Sequence, residues 1–119
     1  MHRDLPTPAK EVVWVGSSLD DLRRLPRDAQ HRAGFELWAV QCGDMPSDWR
    51  PMPSIGSGVV EIRVHTTLEH RVIYVATIAD VIHVLHVFEK KTQKTRRTDL
   101  ELAQRRLAWA QTRAKMREP

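Results

Sequence analysis

The chain has 119 residues, of which 41% are hydrophobic and 29% are charged. This length and composition predict one folded domain over residues 1–119, and they exclude a disordered or multidomain chain. No apolar run approaches the ~20 residues that a membrane-spanning helix needs, and the first residues lack the apolar segment of a secretory signal. The single cysteine, Cys42, excludes an intramolecular disulfide. We therefore expect a cytoplasmic protein with no membrane partner.

Positive charge is concentrated in the last quarter of the chain. Ten of the 19 Lys and Arg residues lie between Lys90 and Arg117, where only two acids occur. The rest of the chain carries more acids than bases. A local basic field of this kind attracts phosphate backbones or acidic proteins. A solvated basic helix face is the structural alternative.

The first half of the chain predicts a short strand followed by two helices. Residues 1–10 hold two prolines and little periodicity, which indicates a loose N-terminal tail. The β-branched run 11–15 predicts a strand, and Ser17 or Ser18 can cap a helix that ends before Pro26. A second helix follows, and its predicted apolar face has i, i+3, i+4 and i+7 spacing and consists of Phe35, Trp38, Ala39 and Cys42.

The second half of the chain predicts three strands and a final helix. Residues 44–58 are rich in proline and glycine and indicate a loop. Short connections favour an antiparallel meander of strands over residues 59–66, 71–77 and 81–88. A capping box with Thr98 as N-cap and Glu101 reaching back begins the last helix. Its apolar face consists of Leu100, Ala103, Leu107, Ala110 and Ala114. The order of elements predicts an α+β fold.

The basic segment from Lys90 to Arg97 separates the last predicted strand from the last helix. Five of its eight residues are cationic, and lysine, threonine and glutamine side chains all bind phosphate and sugar oxygens. The candidates for such contacts are Lys91, Gln93, Lys94 and Arg96. From charge alone, a nonspecific basic loop explains this segment equally well.

Two arginines can converge on the start of this segment. Arg63 lies on the polar face of the first meander strand, Arg71 opens the second, and Lys90 follows the third. If these strands pair as neighbours, the three cations line one patch. In the alternative interpretation, Arg63 forms a surface salt bridge with Glu61 or Glu69, which contributes little to stability.

Six histidines and four tryptophans allow other functions. His83 and His86 stand at i and i+3, which places them on opposite faces of a regular strand, so we expect no shared metal ion. A packed core position on the face of Val84 and Phe88 suits His86. His65 and His70 flank a hairpin and are either acid–base groups or exposed side chains. The tryptophans could stack on bases, although Trp14 and Trp38 fit core positions.

Three motifs occur together in this order of elements. They are Glu61-Ile62-Arg63, the run 70–74 (His-Arg-Val-Ile-Tyr) and the run 86–95 (His-Val-Phe-Glu-Lys-Lys-Thr-Gln-Lys-Thr). From residue 12 to residue 114 the chain resembles the phage-derived branch of the RelE/HigB-like toxins of type II toxin–antitoxin systems. The resemblance implies a RelE-like fold with an N-terminal strand and helical hairpin, a three-strand meander and a C-terminal helix.

The resemblance also implies an activity and partners. The family's members are metal-independent endoribonucleases, without a cofactor, that cut mRNA in the ribosomal A site. Their partner is a helix-turn-helix antitoxin, and operator DNA is contacted only through that antitoxin. Two other functions fit the same residues: a basic nucleic-acid-binding module that cleaves nothing, and a degenerate toxin that has lost its activity.

The residues carry the implied chemistry as follows. In metal-free RNA cleavage the ribose 2′-OH attacks the adjacent phosphate, and fixed cations stabilise the charge that develops on the phosphoryl oxygens. Arg63 and Arg71 are the predicted phosphate ligands, because a guanidinium can grip phosphate at two positions. Lys90, Lys91 and Lys94 are predicted to bind the backbone, and a lysine with a lowered pKa can transfer the proton. Arg96 is a peripheral contact.

Overall fold

The computed structural model describes residues 9–117 and contains a five-stranded sheet with a helix packed on each face. In chain order the elements are β1 (Val12–Trp14), α1 (Ser18–Arg23), α2 (Arg27–Gln41), β2 (Trp49–Pro51), β3 (Val59–His65), β4 (Glu69–Ile78), β5 (Val81–Glu89) and α3 (Arg97–Met116). The strand order is β1-β5-β4-β3-β2; β1 runs parallel to β5, and the other neighbours are antiparallel. The predicted α+β class and meander are confirmed.

The N-terminal tail predicted over residues 1–10 falls mostly outside the described residues, since residues 1–8 are not among them. Where the description begins, the backbone N–H of Lys10 donates to the carbonyl of Gln41 at 3.0 Å. No helix within residues 9–117 is long and apolar enough to cross a membrane.

Two apolar cores lie on opposite faces of the sheet because the strand residues alternate in direction. The α2-side core contains Ala33, Leu37 and Val40 of α2 together with Ile62, Val64, Val72, Tyr74, Ile82, Val84 and Val87. The α3-side core contains Ala103 and Leu107 of α3 together with Val15, Met52, Ile55, Val59, Ile73, Val75 and Leu85. The predicted apolar face of α3 is therefore confirmed at its centre, where Ala103, Leu107 and Ala110 are buried.

The predicted apolar face of α2 is wrong. Phe35 is 64% exposed and Trp38 is 47% exposed, whereas the buried residues of this helix are Ala29, Ala33, Glu36, Leu37 and Val40. The small side chains of Ala29 and Ala33 let the helix backbone approach the sheet closely. Both stripes have helical spacing, so only packing against the sheet determines which of them is buried.

The proline-rich segment 44–58 contains a strand that the sequence did not predict. Residues of β2 pair antiparallel with β3, with Arg50 opposite Glu61 and Pro51 opposite Val60. Proline is tolerated here because β2 is the edge strand and needs no second partner. The pairing brings Arg50 onto the sheet beside residues of β3.

The capping box predicted for α3 does not form. The helix begins at Arg97 with Arg96 in the N-cap position, and no side chain caps it. Glu101 contacts Arg97 at 3.1 Å instead of reaching back to Thr98. Asp99 accepts a hydrogen bond from His86 of β5 at 2.7 Å, so a tertiary contact holds the first turn of the helix.

A bulge in β5 overturns the predicted directions of two histidines. Ile73 pairs with His86 whereas Tyr74 pairs with Val84, so one extra residue, Leu85, is inserted between them. His86 consequently reaches α3, and His83 also lines a cavity against α3, so both histidines lie on one face of the sheet. Val84 packs on the opposite face, and His86 is a buried, hydrogen-bonded core histidine that stacks on Phe88.

Candidate active site

A group of ionisable side chains occupies the α3 side of the sheet at the end that α3 leaves uncovered. We call it the charged cluster, and it consists of Arg50, Glu61, Arg63, Arg71 and Lys90. Its members come from β2, β3, β4 and the residue after β5. Strand alternation places them on the same face as the α3-side core, because Glu61 and Arg63 follow Val59 in steps of two.

The strand register brings the three predicted catalytic residues together. Arg63 and Arg71 are directly opposed in the β3–β4 ladder, and Arg71 is opposed to Phe88 in the β4–β5 ladder. The backbone N–H of Lys90 donates to the carbonyl of Glu69 at 2.7 Å, which extends the pairing beyond β5. Side chains opposed in this way lie close enough to bind one ligand.

Glu61 lies at the centre of the cluster and is fully buried. Its Oε1 atom is 3.3 Å from Nε of Arg50, 3.6 Å from Nε of Arg71 and 3.8 Å from Nε of Arg63. The surface ion pair considered for Arg63 is therefore a contact with a buried carboxylate. Burying a carboxylate is costly unless cations compensate it, and three guanidinium groups surround this one.

Lys90 is the titratable cation of the cluster. Partial burial lowers the pKa of Lys90, the positive charges of Arg71, Arg50 and Arg63 lower it further, and the negative charge of Glu61 opposes them. A lysine whose pKa is lowered by burial and by neighbouring cations holds its proton less tightly. This arrangement suits a group that must give up or receive a proton.

A second chain of contacts runs from the cluster to the β3–β4 hairpin. Nη1 of Arg71 donates to Glu69 at 3.0 Å and to the carbonyl of His70 at 3.0 Å. Glu69 also accepts from Nδ1 of His65 at 2.8 Å, and Nε2 of His65 contacts Asp48 at 2.5 Å. The two carboxylates, Asp48 first, raise the pKa of His65 because both stabilise its protonated ring.

The two hairpin histidines differ in access to the cluster. His65 is about half exposed, but both of its ring nitrogens are occupied by carboxylates. His70 is fully buried and lies on the α2 side with Val64 and Val72. Tyr74 likewise lies in the α2-side core, where burial raises its pKa to about 12. Neither His70 nor Tyr74 therefore faces the cluster.

The remaining predicted contact residues lie on the segment that follows Lys90. They are Lys91, Gln93, Lys94 and Arg96, and all four side chains are exposed. Within residues 9–117 none of them forms a hydrogen bond or an ion pair with Arg63 or Arg71. They follow Lys90, a member of the charged cluster, in the chain and precede or begin the transition to α3, whose first residue is Arg97.

Sequence reasoning missed two members of the cluster. Arg50 lies in a segment that was predicted to be a loop, so no strand partner could be predicted for it. Glu61 was considered as a surface partner of Arg63 and as part of the Glu61-Ile62-Arg63 motif, but not as a member of the site, although the alternation of β3 had already placed both residues on one face. Within residues 9–117, no group of three His, Cys, Asp or Glu side chains is arranged to hold a metal ion.

Comparison with known proteins gives the class of this protein. The sequence profile described as phage-derived protein Gp49-like (DUF891) matches residues 20–108, which is most of the chain and includes the whole charged cluster. The chain therefore belongs to the Gp49-like family, a family of toxin-like proteins of toxin–antitoxin systems. No curated protein sequence matches it.

Proposed function

We propose that this protein is a RelE/HigB-like toxin whose single domain cleaves mRNA at the charged cluster. The observation that carries the proposal is the cross-strand pairing of Arg63 with Arg71 beside Lys90. Three cations from successive strands supply the fixed positive charge that a phosphoryl transfer without a metal ion requires. Membership of a toxin-like family supports the same conclusion.

The chemistry follows from the positions of these side chains. The ribose 2′-OH loses its proton and attacks the adjacent phosphorus, forming a 2′,3′-cyclic phosphate while the bond to the 5′ oxygen breaks. Arg63 and Arg71 stabilise the negative charge on the non-bridging oxygens. Lys90, with its lowered pKa, exchanges one of the two protons of this step, as base toward the 2′-OH or as acid toward the leaving 5′ oxygen, and water exchanges the other.

The substrate and the partner complete the proposal. The exposed basic segment after Lys90 binds the mRNA backbone through Lys91, Gln93, Lys94 and Arg96. The substrate is mRNA in the ribosomal A site, where the codon is held single-stranded. The family pairs toxins with antitoxins. We infer that the partner is a helix-turn-helix antitoxin and that operator DNA is contacted only through this antitoxin.

Induced expression tests the proposal in cells. Wild-type protein should arrest growth, and Arg71→Ala should relieve the arrest because removing one charge-stabilising donor slows such reactions by about 10²–10³-fold. Lys90→Ala should do the same. Arg105→Ala, an exposed α3 residue outside the cluster, is the matched control and should stay toxic.

Reconstituted reactions identify the chemistry. Purified protein with programmed ribosomes should cut mRNA at mapped codon positions and leave a 2′,3′-cyclic phosphate on the upstream fragment. Lys90→Arg keeps the charge but cannot exchange a proton near neutral pH. Loss of cleavage in this variant supports proton transfer by Lys90. Salt-sensitive RNA binding without cleavage would contradict the proposal and would indicate a binding module or a degenerate toxin.

A further inference from the structure

The central carboxylate of the charged cluster needs a separate explanation. Glu61 is fully buried on an otherwise cationic surface, and it is opposed by Arg50 on one side and by Ile73 on the other. Buried carboxylates are usually tied down by hydrogen bonds. Within residues 9–117, neither carboxylate oxygen of Glu61 has a hydrogen-bond partner. The carboxylate is compensated instead by ionic contacts of 3.3–3.8 Å with three Nε atoms and by the positive charge of Lys90.

These contacts leave the arginines able to bind something else. A guanidinium has five N–H donors, and Glu61 is approached through the Nε side in all three cases. Nη1 of Arg71 is occupied by Glu69 and a backbone carbonyl. The Nη groups of Arg50 and Arg63 make no hydrogen bond within the described part of the chain, and both side chains are partly exposed. Two sets of free donors therefore flank the buried carboxylate.

We propose that Glu61 is a positioning residue that holds Arg50, Arg63 and Arg71 in one orientation, and that Arg50 is a further ligand of the RNA phosphate. The inference rests on the proposed function for the identity of the ligand. Glu61 is not itself a catalytic residue, because a fully buried carboxylate cannot touch the substrate. Without this anchor the three guanidinium groups, which repel one another, would separate and adopt many rotamers.

The positioning role of Glu61 can be distinguished experimentally from the effect of its negative charge. Replacing it with glutamine makes the cluster more positive, so electrostatics alone predicts tighter binding of an anion. Loss of positioning predicts slower cleavage despite that binding. The charged groups that face Lys90 are Arg50 of β2, Glu61 and Arg63 of β3, and Arg71 of β4. Of these, only Glu61 raises the pKa of Lys90, so Glu61→Gln should lower that pKa.

The experiment compares Glu61→Gln and Arg50→Ala with the wild type, and it uses Glu11→Gln, an exposed residue before β1, as the matched control. Affinity is measured with a single-stranded DNA oligonucleotide, which has phosphates but no 2′-OH. The pKa of Lys90 is measured by NMR titration of ¹³C-methylated lysines, with the signal assigned through Lys90→Arg. Single-turnover cleavage of ribosome-bound mRNA and thermal unfolding complete the set.

For Glu61→Gln we expect unchanged or tighter DNA binding, a lower pKa of Lys90 and cleavage slowed by about tenfold to a hundredfold. Arg50→Ala should weaken DNA binding several-fold while the protein stays folded. Cleavage by Glu61→Gln within twofold of wild type, with an unchanged pKa of Lys90, would overturn the inference. If Arg50→Ala binds the DNA oligonucleotide as tightly as the wild type, Arg50 is not a phosphate ligand.

Two further outcomes are informative. If Glu61→Gln does not fold, Glu61→Asp keeps the charge but withdraws it by one methylene, and it should slow cleavage while the pKa of Lys90 stays near the wild-type value. If the wild type cleaves no RNA, the proposed function fails. The DNA-binding measurement on Arg50→Ala then still decides whether Arg50 is a phosphate ligand.

Discussion

The face of the sheet beneath α3 has two halves that use the same strands for opposite purposes. In the covered half, Val59, Ile73 and Leu85 pack under α3. In the open half, the same face carries Glu61 and Arg63 on β3, Arg71 on β4 and Lys90 after β5. The change from apolar to charged side chains is staggered between the strands, because Glu61 is opposed to Ile73 and Arg71 is opposed to Phe88.

This difference separates the origin of stability from the origin of activity. In the covered half, apolar side chains are removed from water and their fit against α3 contributes to folding. In the open half, charges compensate one another only partly; Glu61 and Arg71 are buried, whereas the side chains of Arg50 and Arg63 are partly exposed. His86 and Asp99 mark the boundary, where a buried histidine is hydrogen-bonded to the first turn of α3. Substitutions on the two sides should therefore have distinct consequences.

The largest effect should come from the covered half. Leu107 is buried against Gly56, where an added Cβ would lie 2.3 Å from its Cδ2 atom. Leu107→Ala should lower the free energy of unfolding by about 2–5 kcal/mol, as measured by denaturant titration. Its affinity for a DNA oligonucleotide should equal that of the wild type at temperatures where both are folded. Weakened binding by the folded variant would contradict the independence of the two halves.

A smaller, pH-dependent effect should come from the open half. Asp48 and Glu69 raise the pKa of His65 from 6.5, so the folded state favours its protonated ring. This stabilisation is complete below the ordinary pKa and is lost as the pH rises through the raised value. His65→Gln should therefore destabilise the protein at pH 5.5 but hardly at pH 9, by less than about 1 kcal/mol because His65 is about half exposed.

Thermal unfolding across this pH range provides the measurement. His31→Gln, an exposed substitution on α2, is the control for replacing a histidine that lies outside this chain of contacts. A constant difference for His65→Gln would mean that its contacts with the two carboxylates contribute nothing. The same variant removes the contact of His65 with Glu69, which in turn accepts a hydrogen bond from Arg71.

The smallest effect should occur in the β4–β5 turn, beyond the covered half. Ala79 and Asp80 both have φ of 54°, a left-handed conformation that costs an L-residue about 1 kcal/mol. Ala79→Gly should raise the melting temperature by a few degrees at most, because relief of strain is partly offset by the greater entropy of the unfolded chain. Ala108→Gly, in the exposed interior of α3, should lower it. Stabilisation by both substitutions would refute the strain argument.

Most of the local elements and the basic segment were predictable from the sequence alone. Strict alternation of apolar and polar residues predicted β3. Apolar runs with short connections predicted β4, β5 and their antiparallel order, because the spacing of apolar residues along a strand reflects which side chains are buried. The apolar stripe of α3 was also predicted, because helical spacing allowed only one strong face there. Arg63, Arg71 and Lys90 were brought together correctly once the three strands were assumed to be neighbours. Their catalytic role stays a prediction.

Other features arise only when the elements pack together, because each of them depends on residues distant in sequence. The buried face of α2 was chosen by the fit of small side chains against the sheet, which leaves Phe35 exposed. Arg50 entered the cluster when an edge strand paired with β3, and the bulge at Leu85 turned His86 toward α3. Above all, the burial of Glu61 depends on three guanidinium groups from three strands, and no local pattern encodes such desolvation.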